Sequence, residues 1–103
     1  MNSEKAVKER VKKTLKDMGA SYLMPVQSGM GRAGASDFLV CYRGLFFAIE
    51  TKYGKGKPTA LQLQYGAEVQ KAGGSFMLVY ETNVHTMRPT MEYTADNYVP
   101  RRL

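Results

Sequence analysis

Asp37, Glu50 and Lys52 are residue types that together support metal-assisted chemistry on a phosphate. Carboxylates are the hard oxygen ligands that Mg²⁺ prefers, and this ion takes one or two of them along with water and phosphate. A lysine beside the ion stabilises negative charge that builds up on the phosphate oxygens. The three side chains are therefore candidates for a metal site that acts on a phosphate, on condition that the fold brings them to one place.

A predicted β-hairpin meets that condition. Its strands are two runs rich in β-branched and aromatic residues, joined by a dipeptide typical of a tight turn: 37–42, 45–52 and Arg43-Gly44 between them. Counting outward from the turn places Asp37 opposite Glu50. Lys52 projects from the same face as Glu50, because side chains alternate along a strand. Both faces are apolar along most of their length, which predicts central strands and an inward-facing Cys41.

The pairing of two carboxylates has two interpretations. At a separation of about 5 Å they repel by about 3 kcal/mol in an effective dielectric of about 20, so a cation must accompany them. Either Lys52 neutralises the pair in a structural ion cluster, or a divalent cation binds between Asp37 and Glu50 with Lys52 beside it. The glycine-rich loop at 28–36 favours the metal, because glycines let a phosphate backbone approach closely.

The elements that must position the hairpin predict a single α/β domain over residues 1–103. In chain order they are a helix at 3–18, a short strand at 21–27, the glycine-rich loop, the hairpin, a basic loop at 54–58, a helix at about 60–72, a strand at 75–80 and a short helical turn at 83–87. The order α-β-β-β-α-β indicates helices packed on a central sheet. Thr59 and Gln62 form a capping-box pattern at the start of the second helix.

Composition limits the classes of function. The 15 lysines and arginines exceed the 9 aspartates and glutamates, and the formal charge of +6 favours phosphate-rich partners such as nucleic acid. No apolar run approaches the roughly 20 residues of a membrane helix. His85 is the only histidine and Cys41 the only cysteine. These counts exclude a zinc-type Cys/His cluster and an internal disulfide, and they fit a reducing cytoplasm.

Ordered motifs across about residues 4–80 resemble those of the VRR-NUC (virus-type replication-repair nuclease) family, within the PD-(D/E)XK nucleases. They are an acidic residue in the N-terminal helix, then Gly34-Ala35-Ser36-Asp37, Glu50-Thr51-Lys52 and Thr59-x-x-Gln62. The chain is most similar to the stand-alone phage and bacterial type. Ser36 departs from the pattern, since the family usually has proline there. The resemblance implies a restriction-endonuclease-like core, with a central mixed β-sheet flanked by helices.

The resemblance also implies a set of ligands and catalytic residues. One Mg²⁺ or Mn²⁺ would be held by Asp37 and Glu50, with the Thr51 carbonyl and with Glu4 directly or through water. The catalytic residues would be Asp37, Glu50, Lys52, Gln62 and Glu4. Arg32, Lys55 and Lys57 are the predicted DNA contacts, although lysines in a loop are more often simply solvated.

Two of these residues have competing explanations. Glu4 shares a helix face with Val7 and Val11, whereas Glu9 lies away from it, so Glu4 is directed towards the interior. An acid in the first turn also complements the helix dipole, which is a sufficient reason for Glu4 on its own. Gln62 binds back to the Thr59 backbone if the capping box forms, but the resemblance also places a glutamine at this position near the site, so one residue can have both roles. Gln64 is the second choice for the site.

The function implied by the resemblance is a metal-dependent, structure-specific DNA endonuclease, similar to a Holliday-junction resolvase and acting on branched DNA as a homodimer. The alternatives are a flap or nicking endonuclease, and a catalytically silent DNA-binding protein of the same fold. The resemblance implies no organic cofactor and no membrane association. It places the protein in the bacterial cytoplasm, encoded by a bacterium, phage or prophage.

Overall fold

The computed structural model describes residues 1–26 and 32–99. The elements in chain order are α1 (Glu4–Asp17), β1 (Ser21–Leu23), β2 (Phe38–Tyr42), β3 (Leu45–Thr51), α2 (Ala60–Lys71), β4 (Ser75–Val79), a 3₁₀ turn (Val84–Thr86) and α3 (Met87–Asp96). The strands form one sheet in the order β1-β2-β3-β4. The first three strands are antiparallel and β4 runs parallel to β3, so the sheet is mixed, as predicted.

The hairpin of β2 and β3 has the predicted register. Tyr42 pairs with Leu45 next to the turn, and the ladder continues to Phe38 and Ile49. Arg43 and Gly44 both have positive φ, 51° and 82°, which is the backbone that suits the right-handed twist of a two-residue hairpin turn. Both strands are central in the sheet, as their apolar faces predicted.

Helix α1 covers one face of this sheet. The Ser3 hydroxyl accepts a hydrogen bond from the Ala6 amide at 3.0 Å and starts the helix. The core on this face is formed by apolar residues of α1, the sheet, the 3₁₀ turn and α3: Val7, Val11, Leu15, Phe38, Val40, Phe47, Ile49, Val79, Val84, Met87 and Met91. The backbone of α1 is therefore held firmly beside the open end of the hairpin.

Helix α2 covers the opposite face. Phe76 of β4 packs against Gly66 of α2, whereas its neighbour Met77 packs against the core beneath α1. Successive strand residues point to opposite faces, so the two helices lie on either side of the sheet. A Cβ at Gly66 would lie 2.7 Å from the Phe76 ring, which shows how closely α2 approaches β4.

Three predictions about elements need correction. The first strand ends at Leu23, because Pro25 cannot donate to a ladder; residue 27 of the predicted strand lies outside the described residues. The helical turn predicted at 83–87 continues into α3, which was missed because only Met87 and Met91 of it are buried. Cys41 is exposed rather than inward-facing, since it lies on β2, whereas α2 packs mainly on β4.

None of the described helices is long and apolar enough to cross a membrane.

Candidate functional site

The predicted site lies at the open end of the hairpin. Asp37 is one residue beyond the last ladder pair, and its Oδ2 accepts hydrogen bonds from the Thr51 amide at 2.9 Å and the Thr51 hydroxyl at 2.6 Å. These bonds replace a further ladder pair and fix the Asp37 carboxylate beside the end of β3. Oδ1 of the same carboxylate faces the ammonium of Lys8.

Glu50 is the most unusual residue of the site, because it is only 2% exposed. Its Oε2 accepts a hydrogen bond from the Gln62 side-chain amide at 3.2 Å and lies 3.7 Å from the Lys52 ammonium. Its Oε1 is buried and has no hydrogen-bond partner among the described residues. A buried carboxylate oxygen without a partner is costly, so this atom points to a missing partner.

The surroundings of Glu50 favour its protonated form. Burial, followed by the negative charge of Asp37, raises the pKa of the Glu50 carboxyl from 4.5 to about 7. The charge of Lys52 opposes this rise, while the close approach of the Asp37 carboxyl and the charge of Glu4 add to it. Lys52 therefore does not compensate fully for the two adjacent carboxylates.

Gln62 completes the predicted capping box and also contacts Glu50. Its side-chain Oε1 accepts from the Thr59 amide at 2.8 Å, and its backbone amide donates to the Thr59 hydroxyl at 3.1 Å, which completes the capping box. Its Nε2 at the same time donates to Glu50. The start of α2 thus orients Glu50, whereas Gln64 is exposed.

The start of α2 also supports the segment that leads into Asp37. Gly34 has a φ of +81°, and a Cβ there would lie 2.6 Å from the Leu61 carbonyl oxygen. Only glycine fits this close approach of two backbones. Ser36 next to it is buried, and its hydroxyl has no hydrogen-bond partner among the described residues. One helix end therefore positions both carboxylates of the site.

Lys52 follows the last residue of β3 and leads into the basic loop at 54–58, which hydrogen bonds tether to residues 80 and 81. The Tyr80 hydroxyl donates to the Gly56 carbonyl at 2.7 Å, and the Gly54 amide donates to Glu81 at 3.0 Å. Lys55 and Lys57 are exposed on this loop and form no ion pair with a described residue. Their ammonium groups are thus available to phosphate, and their contact with DNA stays a prediction.

Glu4 lies at the edge of the site rather than inside it. Its side chain is 43% exposed, and its Oε2 lies 3.2 Å from the Lys8 ammonium. The same ammonium lies 3.8 Å from Asp37 Oδ1. Lys8 was not predicted, although the helical wheel that selected Glu4 places Lys8 on nearly the same face, since residues four apart are neighbours on a helix.

Arg32 is not brought to the site. Its guanidinium pairs with Glu68 and lies 5.0 Å from the centre of the Tyr65 ring, on the outer surface of α2. A shallow cavity next to it includes Phe46, near the start of β3, while Glu50 lies near the other end of that strand. The predicted DNA contact at Arg32 therefore stands apart from Lys55 and Lys57.

The residues present suit a small divalent cation with oxygen ligands. Two carboxylates meet, one oxygen of Glu50 has no partner among the described residues, and the positively charged neighbours do not neutralise the cluster. Within the described residues, no group of three or more His, Cys, Asp or Glu side chains converges. Such a set fits Mg²⁺ or Mn²⁺, because Mg²⁺ usually binds one or two carboxylates and completes its shell with water and phosphate.

A solved structure has a fold similar to that of this chain. A solved structure described as a VRR_NUC domain is 24% identical to this chain, covers 96% of it and matches over 100% of its own length, with a TM-score of 0.67. No protein-family model and no curated protein matches the sequence. The chain has the fold of a VRR_NUC domain, as its motifs predicted, and the mixed sheet flanked by helices is the restriction-endonuclease-like core.

Proposed function

We propose that the protein is a metal-dependent nuclease of the PD-(D/E)XK type that hydrolyses phosphodiester bonds in DNA. The observation that supports this most is the buried Glu50 Oε1, which has no hydrogen-bond partner among the described residues and lies in the same cluster as Asp37. The similarity to a structure described as a VRR_NUC domain supports the same class of enzyme.

The contacts of Glu50 weigh against a purely structural ion cluster. In such a cluster Lys52 and Gln62 would satisfy the carboxylate, yet both contact Oε2 and neither contacts Oε1. The raised pKa of Glu50 indicates that Lys52 does not offset burial and the charge of Asp37. A cation that binds both carboxylates removes this cost, because opposite charge favours the ionised form.

Each residue then has a definite role. Asp37 and Glu50 hold the Mg²⁺ or Mn²⁺, with Thr51 and Glu4 as the further ligands that the family resemblance implies. When bound, the metal polarises the phosphate and lowers the pKa of a bound water. Lys52 stabilises charge on the phosphate oxygens or orients the attacking water. Gln62 holds Glu50 in place through its bond to Oε2.

The DNA backbone is positioned by the basic loop. Lys55 and Lys57 are exposed close to Lys52 in sequence, and the loop between residues 53 and 58 is tethered by Tyr80 and Glu81. A net charge of +6 adds a general attraction to phosphate. These contacts lie along the backbone and carry no sequence preference, which fits an enzyme that recognises DNA structure.

We further propose that the enzyme acts as a homodimer on branched DNA, like a Holliday-junction resolvase. Two symmetric cuts need two sites, and a two-fold dimer of this chain supplies them. The edge strand β1, whose three residues are all exposed, and the segment beyond residue 82 are the candidate contact surfaces. A monomer would instead be a flap or nicking endonuclease.

A cleavage assay over matched substrates tests the proposal. A four-way junction, a flap, a nicked duplex and a linear duplex of shared sequence are incubated with the protein in Mg²⁺, Mn²⁺ or EDTA. We expect metal-dependent cuts at symmetric positions in the junction. Cuts restricted to the flap or nick would support the alternative enzymes. Binding of all the DNAs without cleavage in either metal would support a silent DNA-binding protein and overturn the nuclease.

A further inference from the structure

We propose that Lys8 is a resident counter-ion of the carboxylate site, which holds Asp37 and Glu4 together without a divalent cation and competes with that cation for Asp37. The inference rests on the proposed metal site and adds a positioning residue that sets its affinity. It concerns a residue that lies outside the motifs of the hairpin.

The contacts of Lys8 are specific to the site. Its ammonium lies 3.2 Å from Glu4 Oε2 and 3.8 Å from Asp37 Oδ1. The other oxygen of Asp37 already accepts two hydrogen bonds from Thr51. Oδ1 is therefore the Asp37 oxygen that is left for a cation, and the ammonium of Lys8 is the cation that it faces.

The charges around the site explain why a lysine is needed there. The negative charges of Asp37 and Glu4 both act on the Glu50 carboxyl. Lys52 lies next to Glu50, and Lys8 lies next to Asp37. Without Lys8, Asp37 and Glu4 would lose their nearest positive charge, and the fold without metal would be less stable.

The same position makes Lys8 a competitor of a metal. Two cations that need the same carboxylate oxygen bind at each other's expense, and each weakens the other by the same factor. The side chain of Lys8 is 28% exposed, so its charge is only partly screened by water. Its flexible four-carbon stem leaves α1, whose backbone is anchored through Val7, so the ammonium is able to turn away without moving the helix.

A neighbouring ion pair provides the comparison. Lys12 and Glu9 on the outer side of the same helix lie 3.1 Å apart, and neither contacts the site. Such exposed pairs contribute little to stability. If Lys8 were only another helix-surface lysine, its loss would have the same effect as the loss of Lys12. Because both substitutions remove one positive charge from α1, the comparison also cancels the effect of net charge.

The test is isothermal titration calorimetry, in which the wild-type protein and its variants are titrated with Mn²⁺ alone at pH 8. We expect Lys8→Met to bind Mn²⁺ about tenfold more tightly than the wild type, within the usual range of coupling between two sites. Lys12→Met and the charge-conserving Lys8→Arg should bind as the wild type does. Without metal, Lys8→Met should melt at a lower temperature than Lys12→Met, and saturating Mn²⁺ should remove the difference.

The outcomes separate this inference from the proposed function. If the wild type binds Mn²⁺ and Lys8→Met binds it equally or more weakly, the role of Lys8 is overturned and the metal site still stands. No binding of Mn²⁺ by the wild type overturns the metal site, and the role of Lys8 with it. If Lys8→Met does not fold, Lys8→Gln removes the same charge and is compared with the same controls.

Discussion

Replacement of Glu50 by glutamine should make the metal-free protein more stable, and only at higher pH. The folded-state pKa of Glu50 is raised from 4.5 to about 7, so the fold favours the protonated carboxyl. Below pH 4.5 the group is protonated in both the folded and the unfolded state, and it makes no pH-dependent difference. As the pH rises through this window, the unfolded chain loses the proton first and the fold loses stability.

The size of the effect follows from the shift. The rise of the Glu50 pKa from 4.5 to about 7 corresponds to about 3 kcal/mol of stability lost above pH 7. The glutamine side chain has nearly the same shape as glutamate and no charge, and its carbonyl oxygen can still accept the hydrogen bond from Gln62. The free energy of unfolding of Glu50→Gln minus that of the wild type should therefore grow from near zero at pH 4.5 to about 3 kcal/mol at pH 8.

The assay is urea unfolding in EDTA at a series of pH values. Taking the difference between the two proteins cancels the titration of the groups that do not interact with Glu50. Glu92→Gln is the matched control, since Glu92 is a partly exposed acid that pairs with Arg88 on α3, away from the site. Its difference from the wild type should not follow the Glu50 window. If the difference in unfolding free energy between Glu50→Gln and the wild type is the same at pH 5 and pH 8, the raised pKa of Glu50 is refuted.

Three further predictions concern the loop, the lysine and assembly. Gly34→Ala should reduce cleavage at least tenfold, because its Cβ would collide with the Leu61 carbonyl. Gly44→Ala is the control: its φ of +82° carries the same backbone cost of about 1–2 kcal/mol, but nothing lies within 4 Å of its Cβ, so it should keep its activity. Equal losses of activity in the two variants would exclude the contact with α2 as the cause. Lys52→Ala should lose cleavage but bind DNA in a gel-shift assay, and a parallel loss of both would make Lys52 a phosphate anchor. Light scattering at micromolar concentration should report about twice the 11.5 kDa chain mass, and a monomer even with junction DNA added would reject the resolvase.

The hairpin was predictable because its determinants are local. The Arg43-Gly44 turn sets the register, and the register alone brings Asp37 towards Glu50 and Lys52. The capping box at Thr59 was predictable for the same reason. Its second contact, from Gln62 to Glu50, depends on how α2 sits on the sheet, and only the family resemblance placed that glutamine near the site.

Features that depend on packing between distant segments were not predictable. Lys8 contacts Asp37 only because α1 lies across the open end of the hairpin. Cys41 belongs to an apolar run, yet it is exposed because α2 packs mainly on β4 and not on β2. Arg32 is a basic residue close to the site in sequence, but Glu68 and Tyr65 hold it on the outside of α2.

Single-turnover cleavage of labelled branched DNA in saturating Mn²⁺ tests the metal-site assignment most directly. Asp37→Asn and Glu50→Gln should show no cleavage, although both should fold and bind DNA, because each removes one of the two central carboxylates. Glu92→Gln, prepared in the same way, should cut at the wild-type rate. Cleavage at the wild-type rate by either Asp37→Asn or Glu50→Gln would contradict the assignment of these carboxylates as the metal ligands.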